Sequence, residues 1–239
     1  MSDQNDKLKQ LKTSSMDRRL SIAKASLLAG TRWAASNATS MFSSEEEKEK
    51  KRKKAMKEQA DYLVAEIGKL KGSIVKIGQM MALYGEHFLP EEITQALNTL
   101  NNKTVALAWP AIKAQLQAQL GSKLDDLTID HEPLGTASLA QVHRAKRKSD
   151  GLELVLKIQY PGVAEAIDSD MSLFKNMLKL TRMVPQTREF DQWFDEVREM
   201  MHREVDYKIE AATTRRFRQR LQNDPRYIVP TIIEDYSTD

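Results

Sequence analysis

The fold is decided by residues 133–160, which read P-L-G-T-A-S-L-A-Q-V-H-R-A-K-R-K-S-D-G-L-E-L-V-L-K-I-Q-Y. Small residues at 135–138 precede a run of alternating apolar and polar residues from Leu139 to Ala145. The turn residues Ser149-Asp150-Gly151 follow, and a second, mostly apolar run extends from Leu152 to Tyr160. Two period-two runs joined by a turn that contains glycine predict a β-hairpin.

Lys157 is the one basic residue inside the second strand of this hairpin. A buried lysine is costly unless an anionic group meets it, whereas a lysine on an edge strand can face water and discourage pairing between sheets. A loop of small residues before a hairpin with V-L-K is also how protein kinases bring backbone amides and one lysine to the phosphates of ATP. The hairpin alone leaves both interpretations open.

Composition limits the class of protein. The chain has 239 residues, of which 41% are apolar and 30% charged, and this is typical of a soluble globular protein. Its net charge of +3 is too small to indicate nucleic-acid binding by itself. Cysteine is absent, which excludes disulfides and thiolate metal sites and favours a reducing, cytoplasmic location. The sequence shows no secretory signal and no apolar run long enough to span a bilayer.

The N-terminal region, residues 1–59, is predicted to be helical, amphipathic and basic. From Met16 to Phe42 the apolar residues follow a helical period, and the segment from Arg18 to Ser44 has four basic residues and no acidic one. Such a helix can lie on an anionic membrane surface or pack against the helices that follow. The charge run from Glu45 to Glu58 predicts a solvated helix with i,i+4 ion pairs. It contains no interleaved aromatic residues, which makes nucleic acid an unlikely partner.

A second helical region is predicted for residues 60–121. One helix is expected from Ala60 to Tyr84, and its polar side has a stripe formed by Gly68, Gly72, Lys76 and Gln79. Glycines cost stability inside a helix, so the stripe indicates either close approach of another backbone or ligand, or ordinary helix packing. Two further helices are predicted, from Pro90 to about residue 101 and from Pro110 to the residue before Gly121.

The third region, residues 122–239, contains the hairpin. A short strand is predicted from Leu127 to Ile129, before the hairpin. Two helices are predicted after it, from Val163 to Met183 and from Phe190 to Leu221, and a last strand from Tyr227 to Ile233.

Four stretches together resemble a known family. They are L-K-G-S-I-V-K-I-G-Q (70–79), P-L-G-T-A-S-L-A-Q-V-H-R-A (133–145), V-L-K-I-Q-Y-P-G-V (155–163) and E-V-D-Y-K-I-E-A (204–211). Their order and composition are similar to those of the UbiB/AarF family of atypical, protein-kinase-like kinases, which are tied to ubiquinone and other prenyl-lipid metabolism. The resemblance covers about residues 60 to 239 and corresponds to the N-terminal portion of such a protein.

The resemblance implies roles for individual residues. The ATP site would be formed by Gly135, Thr136, Ala137, Ser138, Lys157 and Glu210. Lys157 would hold the α- and β-phosphates and pair with Glu210. Lys76, Gln79, Glu204 and Asp206 would form a family-specific site, in which the helix that bears Lys76 lies over the nucleotide and disfavours protein phosphorylation. Because Glu204 and Glu210 differ by about 120° in helical phase, we do not expect them to share a partner. The family usually has an alanine run where this chain has Gly135 to Ser138.

The fold expected from these features is α+β: an N-terminal helical extension packed on a truncated protein-kinase-like small lobe, with an antiparallel sheet and an αC-type helix. We find no catalytic-loop aspartate or asparagine and no D-F-G motif, since His202-Arg203-Glu204 falls in a different motif. We therefore expect no catalytic residue and no metal ligand in this chain, which would lack the last strand of the lobe, the hinge and the large lobe that holds Mg²⁺.

Two functions remain at this point. The first is the ATP-binding part of a UbiB-type kinase or ATPase that supports ubiquinone biosynthesis, with ATP and Mg²⁺ as cofactors. The alternative is a non-catalytic scaffold module associated with a membrane or an enzyme complex. The partners expected are ATP, a prenyl-quinone lipid or its biosynthetic enzymes, and the surface of a membrane.

Overall fold

A computed structural model describes residues 44–70, 72–100, 106–180 and 184–238. The helix predicted from Met16 to Phe42 lies outside the described residues. The described helices are α1 (Glu45–Leu70), α2 (Ser73–Tyr84), α3 (Glu91–Asn98), α4 (Trp109–Leu120), α5 (Val163–Leu180), α6 (Arg188–Val205) and α7 (Tyr207–Leu221). The described strands are β1 (Leu127–Ile129), β2 (Gly135–Thr136), β3 (Ala140–Arg147) and β4 (Glu153–Gln159). Two 3₁₀ turns lie at Gly121–Asp126 and Glu234–Tyr236.

The first half of α1 is a solvated helix, as its charge run predicts. Lys48 pairs with Glu45 at 2.8 Å, Lys50 with Glu46 at 2.8 Å and Lys53 with Glu49 at 3.5 Å. Pairs of this kind stabilise an exposed helix slightly, because water and salt screen the charges. The second half of α1 is anchored differently, because its apolar stripe, which includes Leu63 and Ile67, is buried.

The prediction of a single helix from Ala60 to Tyr84 is wrong. The structure has two helices, α1 and α2, and Gly72 lies between them with φ +70°, in the left-handed region that favours glycine. Gly72 therefore lies outside both helices and does not share the predicted stripe. The close approach occurs at Gly78 instead, where an added Cβ would overlap a methyl group of Leu100.

The helix predicted from Phe190 to Leu221 is also two helices, α6 and α7. Asp206 separates them with an extended backbone (φ −87°, ψ 93°), and its carboxylate accepts a hydrogen bond from the backbone N–H of Ile209 at 3.1 Å. Aspartate is one of the preferred N-cap residues because its side chain satisfies an N–H that the helix leaves free. This local hydrogen bond interrupts a run that hydrophobic periodicity alone reads as continuous.

The sheet is antiparallel and is built around β3. Strands β1 and β2 pair with one edge of β3, and β4 pairs with the other. The predicted hairpin is therefore present, and Gly135–Thr136 forms the short strand β2 at a position predicted to be a loop.

No strand forms where one was predicted from Tyr227 to Ile233. In this described segment Pro230 has no N–H to donate to a sheet, and the backbone runs beside α7 instead, where the guanidinium of Arg218 donates to the carbonyl of Val229 at 2.7 Å.

Two hydrophobic cores support these elements. The helical core is formed by α1, α2, α3, α5 and α6, and the sheet core lies between α4 and one face of the sheet. Inside the helical core, Ser73 of α2 donates a hydrogen bond to the carboxylate of Asp170 on α5, and both residues are buried. Val205, the last residue of α6, packs against both cores and lies where they meet.

Candidate functional site

The two faces of the hairpin have different surroundings. Leu156 and Ile158 of β4 are buried in the sheet core, together with Leu116 of α4. Neighbouring residues in a strand point to opposite faces, so Val155 and Lys157 project away from that core. Val155 is 58% exposed and the Lys157 side chain 44% exposed. The sheet thus presents an open face on which Lys157 lies.

Three residues form a row across this open face. Gly135 of β2 is opposite Val142 of β3, and Val142 is opposite Lys157 of β4. Adjacent strands are about 4.8 Å apart, so Gly135 and Lys157 are separated by roughly 10 Å across the sheet. The strand register thereby places Gly135, the first residue of the segment 135–138, in line with Lys157 across the sheet.

Lys157 forms an ion pair with Glu210. Its Nζ lies 2.5 Å from Glu210 Oε2, and Glu210 is in the first turn of α7. The same Nζ lies 4.7 Å from the centre of the Tyr207 ring. Lys157 is therefore in contact with α7 through both an anionic group and an aromatic face.

A second ion pair joins α2 and α6, two helices of the helical core. Lys76 of α2 lies 2.6 Å from Glu204 Oε1 in the last turn of α6, and its side chain is mostly buried. Glu204 and Glu210 therefore pair with different lysines, as expected. The reason is not their phase on one helix, because Asp206 places them on two separate helices. Gln79 donates to the carbonyl of Leu100 at 3.3 Å, and Asp206 caps α7.

Sequence reasoning missed two tyrosines near these ion pairs. Burial raises the pKa of the Tyr207 phenol above its usual range, and the carboxylates of Glu210 and Glu204 raise it further. Burial also raises the pKa of Tyr160 to about 12. The signal that could have found Tyr207 is its position directly after the cap residue Asp206, because the first turn of α7 is the part that faces Lys157.

A cleft of about 1090 Å³ extends along β4. It extends onto both faces of the sheet. Val142, Val155 and Lys157 line it on the open face, and Leu156 and Ile158 line it on the core face beside α4. Tyr207 and Glu210 line it on the α7 side, together with residues 230–233 and 236–238. The segment from Gly135 to Ser138 does not line this cleft, although Gly135 is in register with Lys157. Of the ATP-site residues predicted, the structure brings Lys157 and Glu210 together in the cleft.

The described parts of the chain contain no group of three or more His, Cys, Asp or Glu side chains that could hold a metal ion. None of the described helices combines the length and the apolar composition needed to span a bilayer.

Comparison with known proteins identifies the family of the chain. Residues 99–239, more than half of the chain, match the family described as the ABC1 atypical kinase-like domain. The chain belongs to this family. Both the resemblance to UbiB/AarF proteins and the α+β fold with a kinase-like small lobe are thus confirmed.

Two kinase relatives agree with this assignment. The mitochondrial atypical kinase COQ8 of Saccharomyces cerevisiae is 32% identical over 181 residues, which are 75% of this chain and 36% of the relative. The probable protein kinase UbiB of Vibrio atlanticus is 31% identical over 170 residues, 69% of this chain and 31% of the relative. A protein from Mycobacterium tuberculosis, solved in complex with erythromycin, is 30% identical to this chain. The match covers 78% of this chain and 48% of the M. tuberculosis chain, with a TM-score of 0.45. The chain therefore spans about a third of the length of these two kinase relatives.

Proposed function

We propose that this chain provides the ATP-binding part of an atypical kinase or ATPase. The observation that supports this most directly is the ion pair between Lys157 and Glu210 on the open face of the sheet, next to a cleft. In protein kinases the equivalent pair holds the lysine against the α- and β-phosphates. Membership of the ABC1 family makes the same use of this pair the simplest explanation here.

The residues around Lys157 fit a nucleotide. An ammonium group has three N–H donors, and one of them meets Glu210, so a further donor is available for a phosphate oxygen. Val142 and Val155 supply apolar surface on the same open face, suited to the face of a base. A Cβ built at Gly135 meets nothing within 4 Å, so the alanine that the family usually has there would also fit.

The phosphates of ATP supply the anionic charge and the transferable phosphoryl group, and the residues of this chain bind and orient them. Lys157 would neutralise phosphate charge, and Glu210 would keep the ammonium directed towards the cleft. Lys76 would hold α2 over the site through Glu204, and Gln79 would fix the same helix to Leu100. No described residue is assigned as a Mg²⁺ ligand.

The resemblance to the UbiB/AarF family extends the proposal to the pathway. By this resemblance, ATP binding would serve ubiquinone or another prenyl-lipid biosynthesis, with a prenyl-quinone lipid or its biosynthetic enzymes as partners. The peptide-substrate position would be taken by the helix that bears Lys76, so a small molecule or lipid is the expected substrate class of the whole protein.

Calorimetric titration of the chain with MgATP tests the proposal. Lys157→Met removes the charge from the cleft, whereas the matched control Lys113→Met removes an exposed charge from α4. Losing a charge-assisted hydrogen bond should weaken binding by tenfold or more, to order of magnitude, while the control should bind like the wild type.

Two outcomes would contradict the proposal. Absence of MgATP binding by a folded wild-type chain would remove the nucleotide role and favour the scaffold reading. Equal affinity in Lys157→Met would mean that Lys157 is a solvent-facing residue of an edge strand.

A further inference from the structure

Tyr207 contacts the Lys157–Glu210 ion pair through its ring. It is the first residue of α7, its ring faces the Nζ of Lys157 at 4.7 Å, and Glu204 and Glu210 flank it in sequence. Burial raises the pKa of its phenol, and the carboxylates of Glu210 and Glu204 raise it further. Nothing in the family motifs of the sequence assigns a role to this residue.

Two hydrogen bonds fix the position of Tyr207 relative to β4. Gln159, two residues after Lys157 on the same strand face, donates to the carbonyl of Val205 at 2.9 Å. Asp206 then caps α7, so that Tyr207 begins the helix at a defined place. The backbone that bears the ring is thereby tied to the strand that bears the lysine.

The ammonium of Lys157 has limited freedom in this arrangement. One N–H meets Glu210 Oε2, and the face of the Tyr207 ring attracts the cation because the ring quadrupole is negative at its face. Glu210 alone would leave the long lysine side chain free to rotate about a single contact. The ring supplies a second contact, and an N–H that does not meet Glu210 is available to a ligand in the cleft, which Lys157 lines.

We propose that Tyr207 is a positioning residue, whose aromatic face holds the Lys157 ammonium in the orientation that receives a phosphate oxygen of the nucleotide. This inference rests on the proposed function for its consequence, since phosphate is the expected ligand of Lys157. The contact between ring and ammonium can be tested without any nucleotide.

The experiment compares Tyr207→Phe, which keeps the ring, with Tyr207→Leu, which removes it, and with the control Tyr84→Leu at an exposed tyrosine at the end of α2. The first readout is the NMR signal of the Lys157 Hε protons in chain labelled with ¹³C-lysine, assigned by its disappearance in Lys157→Met. Ring current should shift this signal upfield in the wild type, in Tyr207→Phe and in the control, and the shift should vanish in Tyr207→Leu.

The second readout is affinity for MgATP. Loss of the ring should weaken binding about fivefold, while Tyr207→Phe should stay within about twofold of the wild type, because a cation–π contact needs only the ring face. A merely structural role would not move the Lys157 signal.

Several results would overturn the inference. An Hε signal without upfield shift in the wild type or in Tyr207→Phe would do so even if Tyr207→Leu failed to fold. A fall in affinity in Tyr207→Leu with the Lys157 signal unmoved would assign the loss to packing. Absence of MgATP binding in the wild type would contradict the proposed function. An upfield-shifted Lys157 signal would even then support the contact between the Tyr207 ring and the Lys157 ammonium.

Discussion

At the scale of single residues, the Tyr160 hydroxyl is the clearest cost in the sheet core. The side chain is buried, and its hydroxyl has no hydrogen-bond partner among the described residues. A buried polar group without a partner destabilises a protein by about 1–3 kcal/mol. We therefore expect Tyr160→Phe to raise the free energy of unfolding by about 1 kcal/mol in urea denaturation. A lower midpoint at an unchanged slope would contradict this.

Tyr160 also leads us to expect that the free energy of unfolding depends on pH in the alkaline range. The pKa of Tyr160 is raised from 10.0 to about 12 in the folded chain, so unfolded Tyr160 releases its proton first as the pH rises above 10. This titration leaves the free energy of unfolding unchanged below pH 10 and lowers it between pH 10 and about 12, by at most about 1.4 kcal/mol per pH unit. Stability measured over this range should therefore fall more steeply in the wild type than in Tyr160→Phe. Parallel curves would contradict the shift.

At the scale of elements, the break between α6 and α7 depends on Asp206. Its cap hydrogen bond to Ile209 sets where α7 begins, and hence where Tyr207 and Glu210 lie. Removing an N-cap side chain costs about 1 kcal/mol, whereas asparagine caps almost as well as aspartate. We expect Asp206→Ala to lower the melting temperature and Asp206→Asn to leave it close to the wild type. If both variants melted alike, capping would not be what Asp206 contributes.

The outer edge of β4 is a second element-scale feature. The backbone N–H of Arg147 donates to the carbonyl of Leu152 at 2.9 Å, and in an antiparallel pair every second residue bonds to the partner strand. The backbone N–H and C=O groups that point away from β3 are therefore those of Glu153, Val155, Lys157 and Gln159. Within the described ranges no strand pairs with this edge, and open edges promote association.

We expect the chain to self-associate at micromolar concentration, and Val155→Lys to reduce this. Leu180→Lys, at an exposed leucine away from the edge, should not. Sedimentation velocity distinguishes these cases. A monodisperse wild-type monomer with a cooperative melting transition would contradict the expectation.

At the scale of the whole molecule, two cores meet at the site. Val205 packs against both cores, the Gln159 bond ties β4 to the end of α6, and the Lys76–Glu204 pair ties α2 to the same place. The helical core thereby supports the element that bears Glu210. A nucleotide held by Lys157 would consequently be bound to a strand that is connected to α2 through Gln159, Val205 and the Lys76–Glu204 pair.

Local patterns in the sequence predicted the elements whose signals are local. The hairpin followed from alternation and a glycine-containing turn, and the charged start of α1 followed from its spacing of glutamate and lysine. The helix breaks at Gly72 and Asp206 were missed because apolar periodicity continues through both, while backbone conformation and a cap hydrogen bond decide the outcome.

The candidate site was less predictable than the helices and strands from local sequence patterns. The pairing of Lys157 with Glu210 was expected from family resemblance, not from spacing, since the two residues are 53 positions apart. Tyr207 and the fixed position of Gln159 against Val205 depend on how two cores meet, and no local pattern encodes that arrangement.

The most direct test of the central claim is to identify the lysine that a nucleotide brings close to its phosphates. An acyl-phosphate derivative of ATP transfers its acyl group to a lysine amine beside the phosphate chain, and peptide mass spectrometry locates the modified residue. If the cleft along β4 binds ATP as proposed, Lys157 will be acylated preferentially, and excess ATP will suppress that acylation. Acylation spread over exposed lysines such as Lys113, or modification of Lys157 that excess ATP leaves unchanged, would contradict the account.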